Sequence, residues 1–418
     1  MKVFKFGGAS VKDAAGVKNL LNVLKTVGYK DTLVVVSAMG KSTNALEKII
    51  DQYFEDKSII PSSLLTLKEY HLHIVADLFQ DQKAEIISVI HELFEEIQTF
   101  LKRNKSPDYS FVYDQVVSFG ELLSTKIVHH FLKNQGLDSF WLDARECIKT
   151  DDYYRAANLN WEETQANIEA QVSNESLLIT QGFIGSSSNN FTTTLGREGS
   201  DYSAAIFGYV LNADSVTIWK DVPGVLNGDP REFKNTQLLH QISYREAIEL
   251  AFYGASVIHP KTLQPMQRKE IPLFVKSFEN PMAEGTSVSK GKTLDPHVPC
   301  YIVKKGQVLI QLSSIDFSFI VEKNISYIFS LLHEYQMPVE LIQNSAISFS
   351  VCVNNKYNRL QELVLVLRSK FNVEVTEGVD LFTIRHFDTK AYQFINQKGK
   401  QILLEQRTSE TAQFIIKA

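Results

Sequence analysis

Lys5 stands at the end of a short apolar run, Lys2-Val3-Phe4-Lys5-Phe6, and is followed by Gly7-Gly8. A lysine fixed at a strand end beside two glycines offers a positive charge and open backbone N–H groups, and glycine lets a bulky phosphate approach the main chain. An ordinary surface lysine before a flexible turn looks the same, because basic glycine-rich turns are common. A second segment, Ser37 to Asn44, contains Gly40-Lys41-Ser42, the end of a P-loop pattern. The full pattern requires glycine five positions before Gly40, where Val35 stands, so a Walker A loop is excluded. A hydroxyl-rich loop after a buried strand still suits a small polar ligand, although Ser42 or Thr43 could simply cap a helix.

Leu195 to Tyr202 gathers Arg197, Ser200 and Asp201 on a glycine-punctuated turn that opens a helix. Arginine can hold a carboxylate in a bidentate fork, and an aspartate there can orient a lysine; a capping box is the plainer account. Trp219 to Arg231 reads as a strand followed by a Pro-Gly turn and an Asp-Pro-Arg turn. Such a loop at a strand's carboxyl end suits a nucleotide, with Arg231 available to phosphate, and two consecutive β-turns would read identically. The pairs His71/His73 and His129/His130 lack the Cys or carboxylate spacing of a zinc site and read as surface or packing residues. No GxSxG elbow occurs.

These residues need elements to hold them. Residues 2–6 and Leu33 to Val36 read as buried strands, with a helix between them from Val11 to Thr26 carrying Val17, Leu20, Leu21 and Leu24 at helical spacing. Strand–helix–strand in close succession predicts a parallel α/β sheet. Residues 44–115 read as a helical subdomain without a chemical motif. The α/β rhythm then resumes, with strands at 140–142, 177–180 and 215–219 and helices at 118–132 and 200–211. Gly285 to Pro299 is rich in Gly, Pro, Lys and Ser, which predicts a catalytic unit over 1–285 and a linker over 286–300. From Tyr301 the order of strands and helices is βαββαβ, followed by one more strand, with the last two strands expected at 372–375 and 381–384. A further helix at 391–397 and strands at 401–404 and 413–416 read as a second copy cut short, all within 301–418.

At 418 residues the chain is long enough for two or three domains. Acidic residues outnumber basic ones 48 to 43, a net charge of −5, which argues against a nucleic-acid binder. Three scattered cysteines without a CxxC argue against a zinc knuckle and suit a reducing compartment. No secretory h-region and no membrane-length apolar run is present, so the expected location is cytoplasmic, without a membrane partner.

Seven ordered stretches together resemble aspartate kinases of the amino acid kinase family: KFGGAS, VVVSAMGKSTN, SFGELLS, LITQGFIG, LGREGSDYSAA, KDVPGVLNGDPR and YGASVIHPKTL. The resemblance covers about the first 285 residues. It implies a three-layer α/β sandwich with a mainly parallel sheet, and transfer of the ATP γ-phosphate, with Mg²⁺, to the β-carboxylate of L-aspartate. The product would be 4-phospho-L-aspartate, the first step toward lysine, threonine and methionine. By the same resemblance Lys5 and Asp201 are catalytic, and Ser37, Thr43, Glu121, Arg197 and Ser200 face aspartate. Lys5, Gly7, Gly8, Lys220, Asp221, Leu226, Arg231, Ser256 and Val257 would line the ATP site. Mg²⁺ would be held by phosphates and water rather than by side chains. Three positions depart from the family's habit: Glu198 replaces a usual glycine, Leu226 an aromatic and Ser256 a lysine. The tail resembles ferredoxin-like ACT domains, mostly through residues 322–351. It implies an effector pocket at Asn324, Ile325, Glu340 and Ser345, an amino-acid effector with lysine first and threonine second, and a homodimer. Two other readings keep the fold: a different amino-acid carboxylate as acceptor, or a sensor whose kinase half has decayed.

Overall fold

The computed structural model describes residues 1–79, 84–172, 177–255, 258–391 and 401–417. Its residues fall into two compact units that do not follow chain order. The first draws on Met1–Val225, Leu238–Ile248 and Val257–Asp295, the second on Leu226–Gln237, Glu249–Ser256 and Pro296–Ala418.

The strands of the first unit are β1 (Lys2–Phe6), β2 (Thr32–Val36), β3 (Ser139–Leu142), β4 (Lys149–Thr150), β5 (Leu177–Gln181), β6 (Ile184–Ser187), β7 (Thr192–Thr194), β8 (Ser215–Lys220), β9 (Gln241–Ser243), β10 (Leu273–Ser277) and β11 (Thr286–Ser289). Eight of them form one sheet in the order β3-β5-β2-β1-β8-β10-β11-β9, parallel except for the β10–β11 pair. Both faces of β2 are buried, which is why Thr-Leu-Val-Val-Val carries no polar alternation. Helices α1 (Ala14–Val27), α2 (Ser42–Glu55), α3 (Ile60–Leu78), α4 (Ala84–Arg103), α5 (Tyr109–Val117) and α6 (Phe119–Asn134) share one apolar core with this sheet. Further along are α7 (Ala144–Cys147), α8 (Trp161–Gln171), α9 (Gly199–Val210), α10 (Tyr244–Tyr253), which runs from the first unit into the second, and α11 (Pro260–Lys269).

Two local readings change. The first helix starts at Ala14 rather than Val11, because Gly8–Val11 takes a 3₁₀ turn and the Asp13 carboxylate caps the helix by accepting from Gly16 N at 2.8 Å. The segment whose composition reads as a linker contributes β11. Thr286 is fully buried there, and its hydroxyl donates to Leu239 O and accepts from Val225 N. Polar composition hid a strand whose hydroxyl is satisfied internally.

The second unit is a six-stranded antiparallel sheet in the order β13-β14-β12-β15-β17-β16. Its strands are β12 (Cys300–Ser314), β13 (Val339–Asn344), β14 (Ser348–Val353), β15 (Phe371–Arg385), β16 (Ile402–Arg407) and β17 (Thr411–Lys417), with helices α12 (Glu322–Glu334) and α13 (Leu360–Leu367). The two strands expected at 372–375 and 381–384 are one continuous β15. Gly378, at φ +69°, carries the chain through the break in polarity, and the β12–β15 register shifts opposite it, between Lys304 and Val308. One core packs α12 and α13 over the 308–375 half of the sheet; another gathers Tyr301, Phe382, Ile384, Phe414 and Phe233. Most of the helix expected at 391–397 lies outside the described residues.

Candidate functional site

Parallel pairing brings the carboxyl ends of β1, β2, β5 and β8 to one edge: Lys5 lies opposite Val35 and Ile218, and Val36 opposite Gln181. Lys5 Nζ reaches that edge 2.7 Å from Asp201 Oδ1, and Lys220 Nζ lies 3.7 Å from Asp201 Oδ2. Asp201 belongs to the first turn of α9, so its carboxylate sits where the helix dipole favours negative charge. Burial pushes its carboxyl up, but the Lys5 and Lys220 ammoniums outweigh burial and hold it below the ordinary carboxylate range. Two ammoniums thus converge on one carboxylate in a place largely shielded from water, a concentration of positive charge that suits an incoming phosphate.

The glycine turn supplies the floor. Gly40 N donates to Gly8 O at 3.1 Å, so the loops after β1 and β2 stack on each other. A Cβ on Gly8 would lie 2.7 Å from Ala38 O, a clash with main chain that excludes any other residue there.

Glu121, in the first turn of α6, is 3% exposed. Its Oε1 accepts from Ala38 N at 3.3 Å, while Oε2 is buried with no hydrogen-bond partner among the described residues. Burial pushes its pKa up to about 8, against the opposing pull of Ala38 N–H and the Lys5 charge. A buried carboxyl with one unused oxygen calls for a donor from outside the chain.

Ser37 directly follows β2, half-buried, and its carbonyl accepts from Ser124 Oγ at 2.7 Å. Thr43 is half-buried in the first turn of α2, and Ser200 is buried in the first turn of α9 against Gly182. Arg197 is exposed just before α9, Gly7 is half-buried and extended, and Asp221 is exposed directly after β8. Leu226 and Arg231 belong to the second unit, where the Arg231 guanidinium forks onto Asp229 at 2.7–3.2 Å. Ser256 and Val257 lie outside the described residues. Asn324 Oδ1 accepts from Val321 N at the start of α12, Ile325 packs against the core, Glu340 pairs with Lys304, and the Ser345 and Ser348 hydroxyls share a hydrogen bond of 2.6 Å.

One residue near the cluster, His259, escaped the sequence reading, and another, Glu198, was marked there only as a departure from the family's habit. His259 caps α11, its Nδ1 accepting from Lys261 N at 3.2 Å. Burial lowers its pKa against the pull of the Glu198 carboxylate, with Arg197 and Asp201 also within electrostatic reach. Its signal was the stretch YGASVIHPKTL, from which only Ser256 and Val257 are assigned a role. Glu198 precedes α9 at φ +54° and ψ +29°, with Oε2 buried and unpartnered among the described residues. A side chain in left-handed backbone is strained, so Glu198→Gly should raise stability by about 1 kcal/mol, read as a higher urea midpoint at unchanged slope.

A lysine–aspartate–lysine cluster over a glycine floor at the carboxyl ends of a parallel sheet defines an α/β phosphate-transferring enzyme. The sequence model of the Amino acid kinase family matches residues 1–277. The lysine-sensitive aspartokinase 3 of Escherichia coli is 30% identical over 401 residues, covering 91% of this chain and 86% of that protein. Crystal structures of E. coli aspartokinase III, one with aspartate and ADP (R-state) and one with lysine and aspartate (T-state), are 28% identical. They superpose with TM-scores of 0.83 and 0.82 over all of this chain and 96% of theirs. The chain spans 42% of the length of a 29% identical bifunctional aspartokinase/homoserine dehydrogenase from Arabidopsis thaliana. The chain belongs to the amino acid kinase family and, within it, to the aspartokinases.

Proposed function

We propose that the protein transfers the γ-phosphate of ATP to the β-carboxylate of L-aspartate, giving 4-phospho-L-aspartate and ADP. The observation that carries this reading is the Asp201 carboxylate holding Lys5 and Lys220 together at the strand ends. The E. coli relative with aspartate and ADP supports it. A carboxylate oxygen attacks the γ-phosphorus, the bond to the β-phosphate oxygen breaks, and ADP leaves with the electron pair. Aspartate's side chain is already ionised near neutrality, so no general base is needed. The chain's task is alignment and neutralisation of charge on the transferring group. Lys5 and Lys220 do this through fixed ammoniums, and backbone N–H groups of the Gly7-Gly8 turn cradle phosphate. Both Asp201 oxygens face lysines, a poor donor set for a cation, so Mg²⁺ fits as an ion held by ATP and water, where it would screen phosphate charge.

Glu121 receives the acceptor's ammonium on its unused oxygen, with Arg197, Ser37, Thr43 and Ser200 toward its carboxylates. A carboxyl with pKa raised from 4.5 to about 8 must lose its proton to pair with an ammonium. The Michaelis constant for aspartate should therefore fall about tenfold from pH 6.5 to 7.5 and level off above the raised pKa. Glu121→Gln should raise the constant and flatten that profile; a profile identical to wild type would remove Glu121 from the acceptor site. The sign for folding is opposite: ionising this buried carboxyl disfavours the native state, so the free enzyme loses stability as pH rises from about 4.5 through about 8.

An ATP-dependent hydroxamate assay with aspartate, glutamate or no acceptor tests the reading. Turnover with aspartate alone supports it; equal turnover with glutamate overturns the acceptor, and none with either favours a sensor. The regulatory role goes to residues 301–418, with lysine as effector near Asn324, Ile325, Glu340 and Ser345, as the lysine-sensitive and lysine-bound relatives suggest. Homodimerisation through this region completes the proposal. Lysine should raise the melting temperature more than threonine does, and light scattering should give twice the 47.4 kDa chain mass. Cys147, Cys300 and Cys352, all buried, fit a cytosolic location, and no described helix is long and apolar enough to cross a membrane.

A further inference from the structure

Helix α3 carries no residue that the reaction uses, yet two of its neighbouring side chains reach the backs of both substrate loops. Tyr70 Oη donates to Lys12 O, which follows the Gly8–Val11 turn behind the glycine floor. The same hydroxyl lies 2.6 Å from where a Cβ on Gly40 would sit, too close for any side chain there, and Gly40 has φ +55°, so the β2 loop is shaped to admit it. His71 is fully buried, with Nδ1 2.8 Å from Leu67 O and Nε2 3.3 Å from Ser42 Oγ. A ring nitrogen facing a carbonyl must carry the proton, so Nε2 is bare and accepts. Burial, which lowers the ring's pKa to about 4, agrees with a neutral imidazole. Ser42 opens α2 directly before Thr43, and its single hydroxyl proton is shared between His71 and Met39 O, 2.6 Å away. Tyr70 and Phe94 hold the imidazole edge-on and tilted, with ring centroids 5.1 and 6.2 Å away.

We infer that Tyr70 and His71 form a positioning clamp by which α3 sets the phosphate loop and the acceptor loop at a fixed separation. The inference rests on the proposed phosphoryl transfer. Neither side chain touches a reacting group. They act through Lys12 O and Ser42, on loops already tied together by the Gly40–Gly8 hydrogen bond. Phosphoryl transfer depends on in-line placement, and a misplacement of about 1 Å can cost roughly a hundredfold in rate. A loosened clamp therefore lowers kcat more than it raises either Michaelis constant.

Tyr70→Phe keeps the ring and removes only the hydroxyl; His71→Phe keeps the ring contacts and removes both nitrogens. Each should lower kcat about tenfold, with the Michaelis constants for ATP and aspartate within about twofold of wild type, the scale of one neutral hydrogen bond. Amide exchange should speed up about tenfold at residues 8–12 and 37–43 and stay unchanged in α9. Unchanged kcat in folded variants, or exchange that rises uniformly along the chain, would overturn the clamp. If the wild-type protein transfers no phosphate to aspartate, the functional reading has failed, and the exchange pattern alone then decides whether α3 holds the loops.

Discussion

Lys5→Met should lower kcat about a thousandfold, the loss expected when a preorganised charge facing a developing oxyanion is removed. Lys5 is held rigidly: its side chain is 11% exposed, its strand is paired on both sides, and its ammonium is locked onto Asp201. Methionine matches the apolar stem, so the core beneath is preserved and the lost rate reports the charge. Lys220 remains 3.7 Å from Asp201 Oδ2, so the carboxylate keeps one counter-ion and the fold should survive. Single-turnover kinetics with saturating ATP and aspartate would isolate the chemical step. The lysine-induced thermal shift should persist, because the regulatory sheet has its own cores. Turnover within about fivefold of wild type would remove Lys5 from the chemistry.

Asp201→Asn should do comparable damage by a different route. The amide keeps the shape but removes the charge on which Lys5 and Lys220 both converge in a largely buried place. Removing one partner of a buried ion pair typically costs about 3–5 kcal/mol, because the remaining charge stays uncompensated. We expect a destabilisation of that order in urea, and a fall in kcat of a hundredfold or more because the lysines lose their fixed separation. The acid limb supplies a signature. Asp201's carboxyl is held low in the folded protein, so its stabilisation is present above the ordinary carboxylate pKa of 3.8 and lost as pH falls through the lowered value. The variant lacks that titration, so its stability gap from wild type should narrow below about pH 4. An equal gap at every pH would mean that Asp201 does not carry the charge assigned to it.

Much of the first unit was readable because its signals are local. Val17, Leu20, Leu21 and Leu24 recur at helical spacing, and Leu33 to Val36 is apolar on both faces, as a central parallel strand must be. Lys5, Arg197, Ser200 and Asp201 were legible as charged and hydroxyl residues beside glycines at element ends, whereas Lys220 was marked only by the family resemblance. The linker reading of 286–300 missed β11 because composition says nothing of Thr286's two buried hydrogen-bond partners, Leu239 and Val225, which are 47 and 61 residues away. The unbroken β15 was missed because Gly378 looks like a stop until its partner strand is known to shift register opposite it.

Residue types and their order were enough for the fold class and the family, because strand and helix periods and glycine turns are written in neighbouring residues. Which ammonium meets which carboxylate, that Glu121 keeps an unused oxygen, and that α3 touches both loops through Tyr70 and His71 had to wait for the folded chain. These are contacts across tens to hundreds of residues. Their energies come from burial and distance, and neither quantity exists until the sheet has brought its strand ends together.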